Sequence, residues 1–135
     1  MKNILAIGTS LRKNGNSNTL LQVFVKGARE NGNKVEEVYL SGKNIEFCRG
    51  CLSCQKTGKC VIKDDVSNII DKMEASDVIV FATPIYYYEM SGQMKTFLDR
   101  LNPLYIADCQ FKDVYLLASA AEEDEYAMKR AKRGL

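Results

Sequence analysis

The chemistry legible in this chain sits in three short segments. In the first, the apolar run Ile4-Leu5-Ala6-Ile7-Gly8 breaks into Thr9-Ser10-Leu11-Arg12-Lys13-Asn14-Gly15-Asn16-Ser17-Asn18-Thr19 and then opens an amphipathic helix. A strand feeding a loop of hydroxyls, amides and one Arg, just ahead of a helix N-terminus, suits a phosphate. Free backbone N–H groups, side-chain donors and the positive end of the helix dipole converge there. In the second, Thr83-Pro84-Ile85-Tyr86-Tyr87-Tyr88 offers aromatic surface suited to a flat ring. In the third, Cys48-x2-Cys51-x2-Cys54-x5-Cys60 brings four thiolates into one loop, where Gly50 and Gly58 ease the backbone around a common centre. Spacing alone leaves reduced thiols, metal ligands, zinc included, and a redox disulfide all open. Cys109 stands apart and reads as a small buried hydrophobe.

The elements that must position these segments alternate. After the first strand, Ser17 or Asn18 is placed to cap a helix whose inward stripe is Leu20, Leu21, Phe24, Val25 and Ala28, stopped at Asn31-Gly32-Asn33. Lys34-Val35-Glu36-Glu37-Val38-Tyr39-Leu40 is more charged than the other strands, which suits a sheet edge. Residues 41 to 63 lack a clear period and read as a long functional loop. Asp64-Asp65 starts a helix with Val66, Ile69, Ile70 and Met73 on one face.

Val78-Ile79-Val80-Phe81-Ala82 reads as a strand buried on both faces, ending at Thr83-Pro84. The loop that follows precedes a helix with Met94, Phe97, Leu98 and Leu101 inward, a Lys95–Asp99 surface pair, and Pro103 as its stop. Val114-Tyr115-Leu116-Leu117-Ala118 is a further buried strand. It leads to a last helix from about Ala121, with Glu122, Glu123, Asp124 and Glu125 at the start and Lys129, Arg130, Lys132 and Arg133 at the end. The pattern implies right-handed crossovers and an α/β fold with a doubly wound parallel sheet. Ligands of such sheets bind beyond the carboxyl ends of the strands, so the loop after the first strand and the tyrosine segment should be neighbours.

Composition narrows the function classes. The 135 residues fit one domain, and a net charge of +2 without a basic, aromatic-rich stripe argues against nucleic acid as a partner. No apolar run is long enough to span a bilayer, and Met1-Lys2-Asn3 leads into a strand without signal-peptide architecture, so no membrane partner and a cytoplasmic location are expected. The absence of His removes His-based acid/base chemistry and His-containing metal sites. Neither a G-x-G-x-x-G fingerprint nor a Walker loop is present.

The segment Ser10-Leu11-Arg12-Lys13-Asn14-Gly15-Asn16-Ser17, with Thr83-Pro84-Ile85-Tyr86-Tyr87-Tyr88 and Ser91-Gly92-Gln93-Met94-Lys95-Thr96-Phe97-Leu98-Asp99-Arg100, resembles the flavodoxin-like NADPH-dependent FMN reductases and their relatives, the iron–sulfur flavoproteins. That resemblance implies a flavodoxin-like sheet of order 2-1-3-4 in a single FMN-binding domain over residues 1–135. It implies an FMN phosphate held by Ser10, Arg12, Asn16, Ser17 and Asn18, with Thr19 in the same loop. The flavin ring would lie against Thr83, Pro84, Ile85, Tyr86 and Tyr87, with Ala118-Ser119-Ala120 at its border. NAD(P)H would be the electron donor and a small molecule or a redox protein the acceptor. No residue is assigned as acid or base, because the cofactor carries the chemistry.

The cysteine spacing resembles the compact motif by which iron–sulfur flavoproteins hold a [4Fe–4S] cluster, which makes Cys48, Cys51, Cys54 and Cys60 candidate metal ligands. Two departures are visible. Thr9 stands where such proteins usually carry Gly, and the chain stops before the family's fifth strand and final helix, so a shortened domain or a homodimer is expected.

Overall fold

The apolar runs become the centre of a parallel sheet. The computed structural model describes residues 1–123 and 126–135. Its strands are β1 (Asn3–Gly8), β2 (Lys34–Tyr39), β3 (Val78–Tyr86), β4 (Glu89–Met90) and β5 (Asp113–Ser119). The order is β2-β1-β3-β5, all parallel, and β4 folds back antiparallel on the end of β3. With the short return strand set aside, this is the expected flavodoxin-like 2-1-3-4 order.

Side chains alternate across β1 and β3, and each set buries under its own helices. Ile4, Ala6, Val78, Val80 and Ala82 pack with Leu21 and Val25 of α1 (Asn16–Glu30). Leu5, Ile7, Ile79 and Phe81 pack instead with Ile69, Ile70 and Met73 of α3 (Val66–Glu74) and with Met94 and Phe97 of α4 (Gly92–Asp99). The short α2 (Ser53–Thr57) interrupts the cysteine loop, which is therefore not wholly irregular as expected. A 3-10 turn, Asn102–Tyr105, follows α4, so the helix ends at Asp99, before Pro103 is reached.

Other departures from the sequence reading have local causes. Leu20, expected on the inward stripe, is 40% exposed and stands outside the cluster that Leu21 and Val25 form with the sheet. β3 runs through Pro84 to Tyr86. The Ala82 carbonyl points toward β1, and alternate residues point the same way, so the missing N–H of Pro84 falls beyond the last β1 pair at Gly8↔Ala82 and leaves no gap in the ladder.

β5 is less buried than expected: as the last parallel strand it leaves Val114 and Tyr115 about half exposed. Among the described residues, helical structure near the C-terminus is confined to α5 (Lys129–Gly134), where Ala131 is buried, as is Ala127 just before it. The acidic start expected at Glu122 and Glu123 precedes it, while Asp124 and Glu125 lie outside the described residues. No helix among the described residues is long and apolar enough to cross a membrane.

Candidate functional site: an anion loop, a tyrosine hairpin and a cysteine cavity

The loop after β1 is shaped by its own polar groups. Ser10 Oγ accepts from the Arg12 N–H at 3.1 Å, and Asn18 Nδ2 donates to the Arg12 carbonyl at 3.2 Å and to the Ser10 carbonyl at 3.5 Å. Ser10 and Asn18 are buried, whereas Arg12, Asn16 and Thr19 face solvent. The N-cap of α1 is Gly15, not Ser17 or Asn18, and no side chain caps the helix. Among the described residues, Ser17 Oγ is buried without a partner. A helix start with no side-chain cap and an unsatisfied hydroxyl beside it fits a bound phosphate, which would supply the missing acceptor.

Glycine is required at Gly8 for a steric reason. A Cβ there would come within 2.6 Å of the Tyr39 ring and 2.7 Å of Asn18 Oδ1. Thr9, the departure from the usual glycine, is fully buried and turned inward: its hydroxyl donates to the Ala82 carbonyl at 2.7 Å and lies 3.5 Å from Ser91 Oγ. It therefore braces the base of the loop.

The tyrosine segment leaves the same sheet end. Thr83 is buried, Pro84 and Ile85 are half-buried, and Tyr86, Tyr87 and Tyr88 are exposed. The hairpin turns at Tyr87 and Tyr88, whose φ values of 50° and 63° lie in the left-handed region that tyrosine rarely occupies. Their rings meet edge to face with centroids 6.1 Å apart. Thr83 Oγ1 accepts from the Ser91 N–H at 3.0 Å, and Ser91 Oγ caps α4 by accepting from the Met94 N–H at 3.2 Å. Of Ala118, Ser119 and Ala120, expected at the border of the ring, Ala118 and Ser119 end β5 and Ala120 lines an open pocket with Ile85, Tyr87 and Tyr88.

The four cysteines line one cavity together with Arg49, Leu52, Arg100 and Asn102. Cys54 is buried, Cys48 and Cys60 are half-buried and Cys51 is exposed; all are free thiols. Donors approach the sulfurs: the Gly50 N–H reaches Cys48 Sγ at 3.4 Å, and the Ile62 N–H and Arg100 Nη2 reach Cys60 Sγ at 3.4 Å each. Hydrogen bonds from the Ser53 backbone and side chain pull the Cys51 thiol below its ordinary pKa. Cys109, half-buried and not fully buried as expected, is pushed up by burial and by the nearby Glu74 and Asp108 carboxylates.

Among the described residues, no three Cys, Asp or Glu side chains meet around a point where a single metal ion could sit.

Two residues of this region were not singled out from the sequence. Asp64, read as a helix starter, and Arg100 form an ion pair whose side chains are wholly buried beside the cysteine cavity. Burial opposes the Asp64 charge, but the Arg100 guanidinium and the N–H groups of Glu46 and Val66 more than offset it, and the carboxyl is held below the usual range. The available signal was Arg100 itself, an ionic residue three positions past Phe97 and so on the buried stripe of α4.

The comparisons agree with this geometry. The family model described as NADPH-dependent FMN reductase matches residues 2–133. An iron–sulfur flavoprotein of Archaeoglobus fulgidus is 40% identical over 103 residues, which cover 76% of this chain and 46% of that protein. A putative NAD(P)H-dependent FMN-containing oxidoreductase of Bacillus subtilis is 31% identical over 110 residues, covering 82% of this chain and 57% of that one. The chain thus spans about half the length of the curated relatives it matches. Among solved structures, the NAD(P)H:quinone oxidoreductase from Methanothermobacter marburgensis shares the fold at a TM-score of 0.77 and 15% identity, over 95% of this chain and 69% of that one. With its parallel sheet and matched sequence in agreement, the chain belongs to the NADPH-dependent FMN reductase family.

Proposed function

We propose that this chain is the flavin-binding part of an FMN-dependent NAD(P)H oxidoreductase. The observation that carries the reading is the partnerless, buried Ser17 hydroxyl at a helix start without a side-chain cap, on the sheet end that also bears the tyrosine hairpin. FMN, when bound, supplies hydride acceptance from a reduced nicotinamide and its onward delivery to an acceptor. Ser17, Ser10, Asn18, Arg12, Asn16 and Thr19 would hold the phosphate. Thr83, Pro84, Ile85, Tyr86 and Tyr87 would flank the ring, with backbone N–H groups placed to stabilise negative charge on it. The protein's work is positioning and exclusion of water, and no side chain moves a proton in this scheme.

The test is anaerobic titration of the FMN-loaded protein with NADPH and with NADH, followed by absorbance. Bleaching with either supports the reading, and a flavin that neither donor reduces overturns the reductase assignment. Absence of any FMN binding overturns the cofactor itself.

A second reading, electron transfer through a [4Fe–4S] cluster at Cys48, Cys51, Cys54 and Cys60 to a protein partner, is favoured by charge placement. Residues 43 to 63 contain Lys43, Arg49, Lys56, Lys59 and Lys63 against the single acid Glu46, although the whole chain is only +2. These basic side chains are exposed and so are Phe47, Leu52 and Val61, a surface that fits an acidic redox protein. Iron and acid-labile sulfide analysis of protein prepared without oxygen tests the cluster. A rate of electron exchange that falls steeply with salt supports the partner. A second copy of this chain against the exposed β5 residues Val114 and Tyr115 completes the proposal, and a stable monomer in sedimentation removes that part.

A further inference from the structure

The cysteine segment is closed at its neck by two sets of contacts. In the outer set, the Asn44 N–H donates to Asp65 Oδ2 at 2.6 Å and the Asp65 N–H donates to the Asn44 carbonyl at 3.1 Å. The inner set is the buried ion pair. Arg100 donates through Nη1 to Asp64 Oδ2 at 2.6 Å and through Nη2 to Asp64 Oδ1 at 3.0 Å, a two-pronged contact that only a guanidinium makes.

The pair also grips the loop on both sides. Glu46, two residues before Cys48, donates its N–H to Asp64 Oδ2 at 2.9 Å and gives its carbonyl to Arg100 Nη1 at 2.9 Å. Arg100 Nη2 then reaches Cys60 Sγ at 3.4 Å on the far side. One guanidinium therefore touches the segment before the first cysteine, the last cysteine and the residue that closes the loop.

Arg100 is itself anchored from the other direction. It is the C-cap of α4, whose N-cap Ser91 is hydrogen-bonded to Thr83 at the base of the tyrosine hairpin. A helix of eight residues spans about 12 Å, so α4 is a short rigid strut between hairpin and cysteine cavity. Among the described residues Arg100 Nε is buried and without a partner, so the ion pair is the contact that offsets the burial of this guanidinium.

We propose that Arg100 is a positioning residue: paired with Asp64, it latches the cysteine loop to the end of α4, fixes Cys60 and the chain leading to Cys48 in one arrangement, and tunes the Cys60 sulfur through its Nη2 hydrogen bond. The latch deepens the cluster reading, on which only the iron arm of the test rests.

The experiment compares wild type with Arg100→Lys and with the neutralised pair Asp64→Asn/Arg100→Met, as iron-free, FMN-loaded protein, by hydrogen exchange. Exchange in residues 46–62 is expected to accelerate about tenfold or more in both variants, while β1 and β3 keep their protection. FMN affinity is expected to stay within about threefold, because the phosphate loop shares no partner with the latch. In protein loaded with iron and sulfide, Arg100→Lys is expected to shift the cluster potential to a more negative value as the donor to Cys60 is lost.

Three results overturn the latch: loop exchange that does not change, exchange that rises evenly over loop and sheet, or failure of both variants to fold. The last two outcomes would make the pair a support of the whole domain. If wild type takes up no iron, the cluster reading fails by itself, and the exchange data still decide the latch.

Discussion

Thr9 and Ala82 are joined twice: the Thr9 N–H and the Thr9 hydroxyl both donate to the Ala82 carbonyl, at 3.0 and 2.7 Å. The strand feeding the anion loop is thereby tied to the strand feeding the tyrosine hairpin at the last residue of their ladder. Replacing Thr9 by Val keeps the shape and removes the hydroxyl. Stability is expected to fall by about 1–2 kcal/mol, read from urea midpoints, with weaker FMN binding as the loop loosens. An unchanged FMN affinity would show that the tie does not position the loop.

Ser17 gives the sharper prediction, because its hydroxyl has no partner to lose among the described residues. Ser17→Ala is expected to leave the stability of the flavin-free protein unchanged or slightly raised. FMN binding should weaken by roughly 1.5–3 kcal/mol, the range for a hydrogen bond to a charged group. Riboflavin, which lacks the phosphate, should bind wild type and variant alike in the same calorimetric titration.

The strained turn predicts a gain of stability at the expense of the site. Tyr88→Gly removes a side chain held at φ 63° and is expected to stabilise the fold by about 1 kcal/mol in thermal unfolding. Reduction of the bound flavin by NAD(P)H should slow if that strain serves to present the aromatic rim. A variant as active as wild type would assign the strain no role in the reaction.

The Asp64 carboxyl predicts an acid-sensitive step. Its folded pKa is depressed, so the unfolded chain takes up this proton at higher pH than the folded one does. The stabilisation is fully present above the unfolded carboxylate value of about 4 and is lost as pH falls through the folded value. Urea midpoints measured from acid to neutral pH should show that loss in wild type. In Asp64→Asn the slope should flatten, and protection of residues 46–62 at neutral pH should fall because Arg100 is left buried and unpaired.

Much of this architecture was legible in residue order alone. The runs at Ile4 to Gly8 and Val78 to Ala82 specify central strands, and the charged Val35 to Tyr39 region specifies an edge, because period and burial follow directly from which side chains alternate. That the loops after β1 and β3 leave one end of the sheet followed from those strands being parallel. The spacing of the cysteines was enough to place them in one loop.

The tertiary structure decided the rest. Pro84 stays inside β3 only because β1 has already ended beside it, and α1 goes without a side-chain cap because its N-cap is Gly15, while Asn18 within the helix turns toward the Arg12 and Ser10 carbonyls. Arg100 meets Asp64 and the Glu46 carbonyl across 36 and 54 residues of chain. Local periodicity fixes which face of an element is apolar. Which distant polar groups are driven together on that face, and must then satisfy one another, depends on the path of the folded chain.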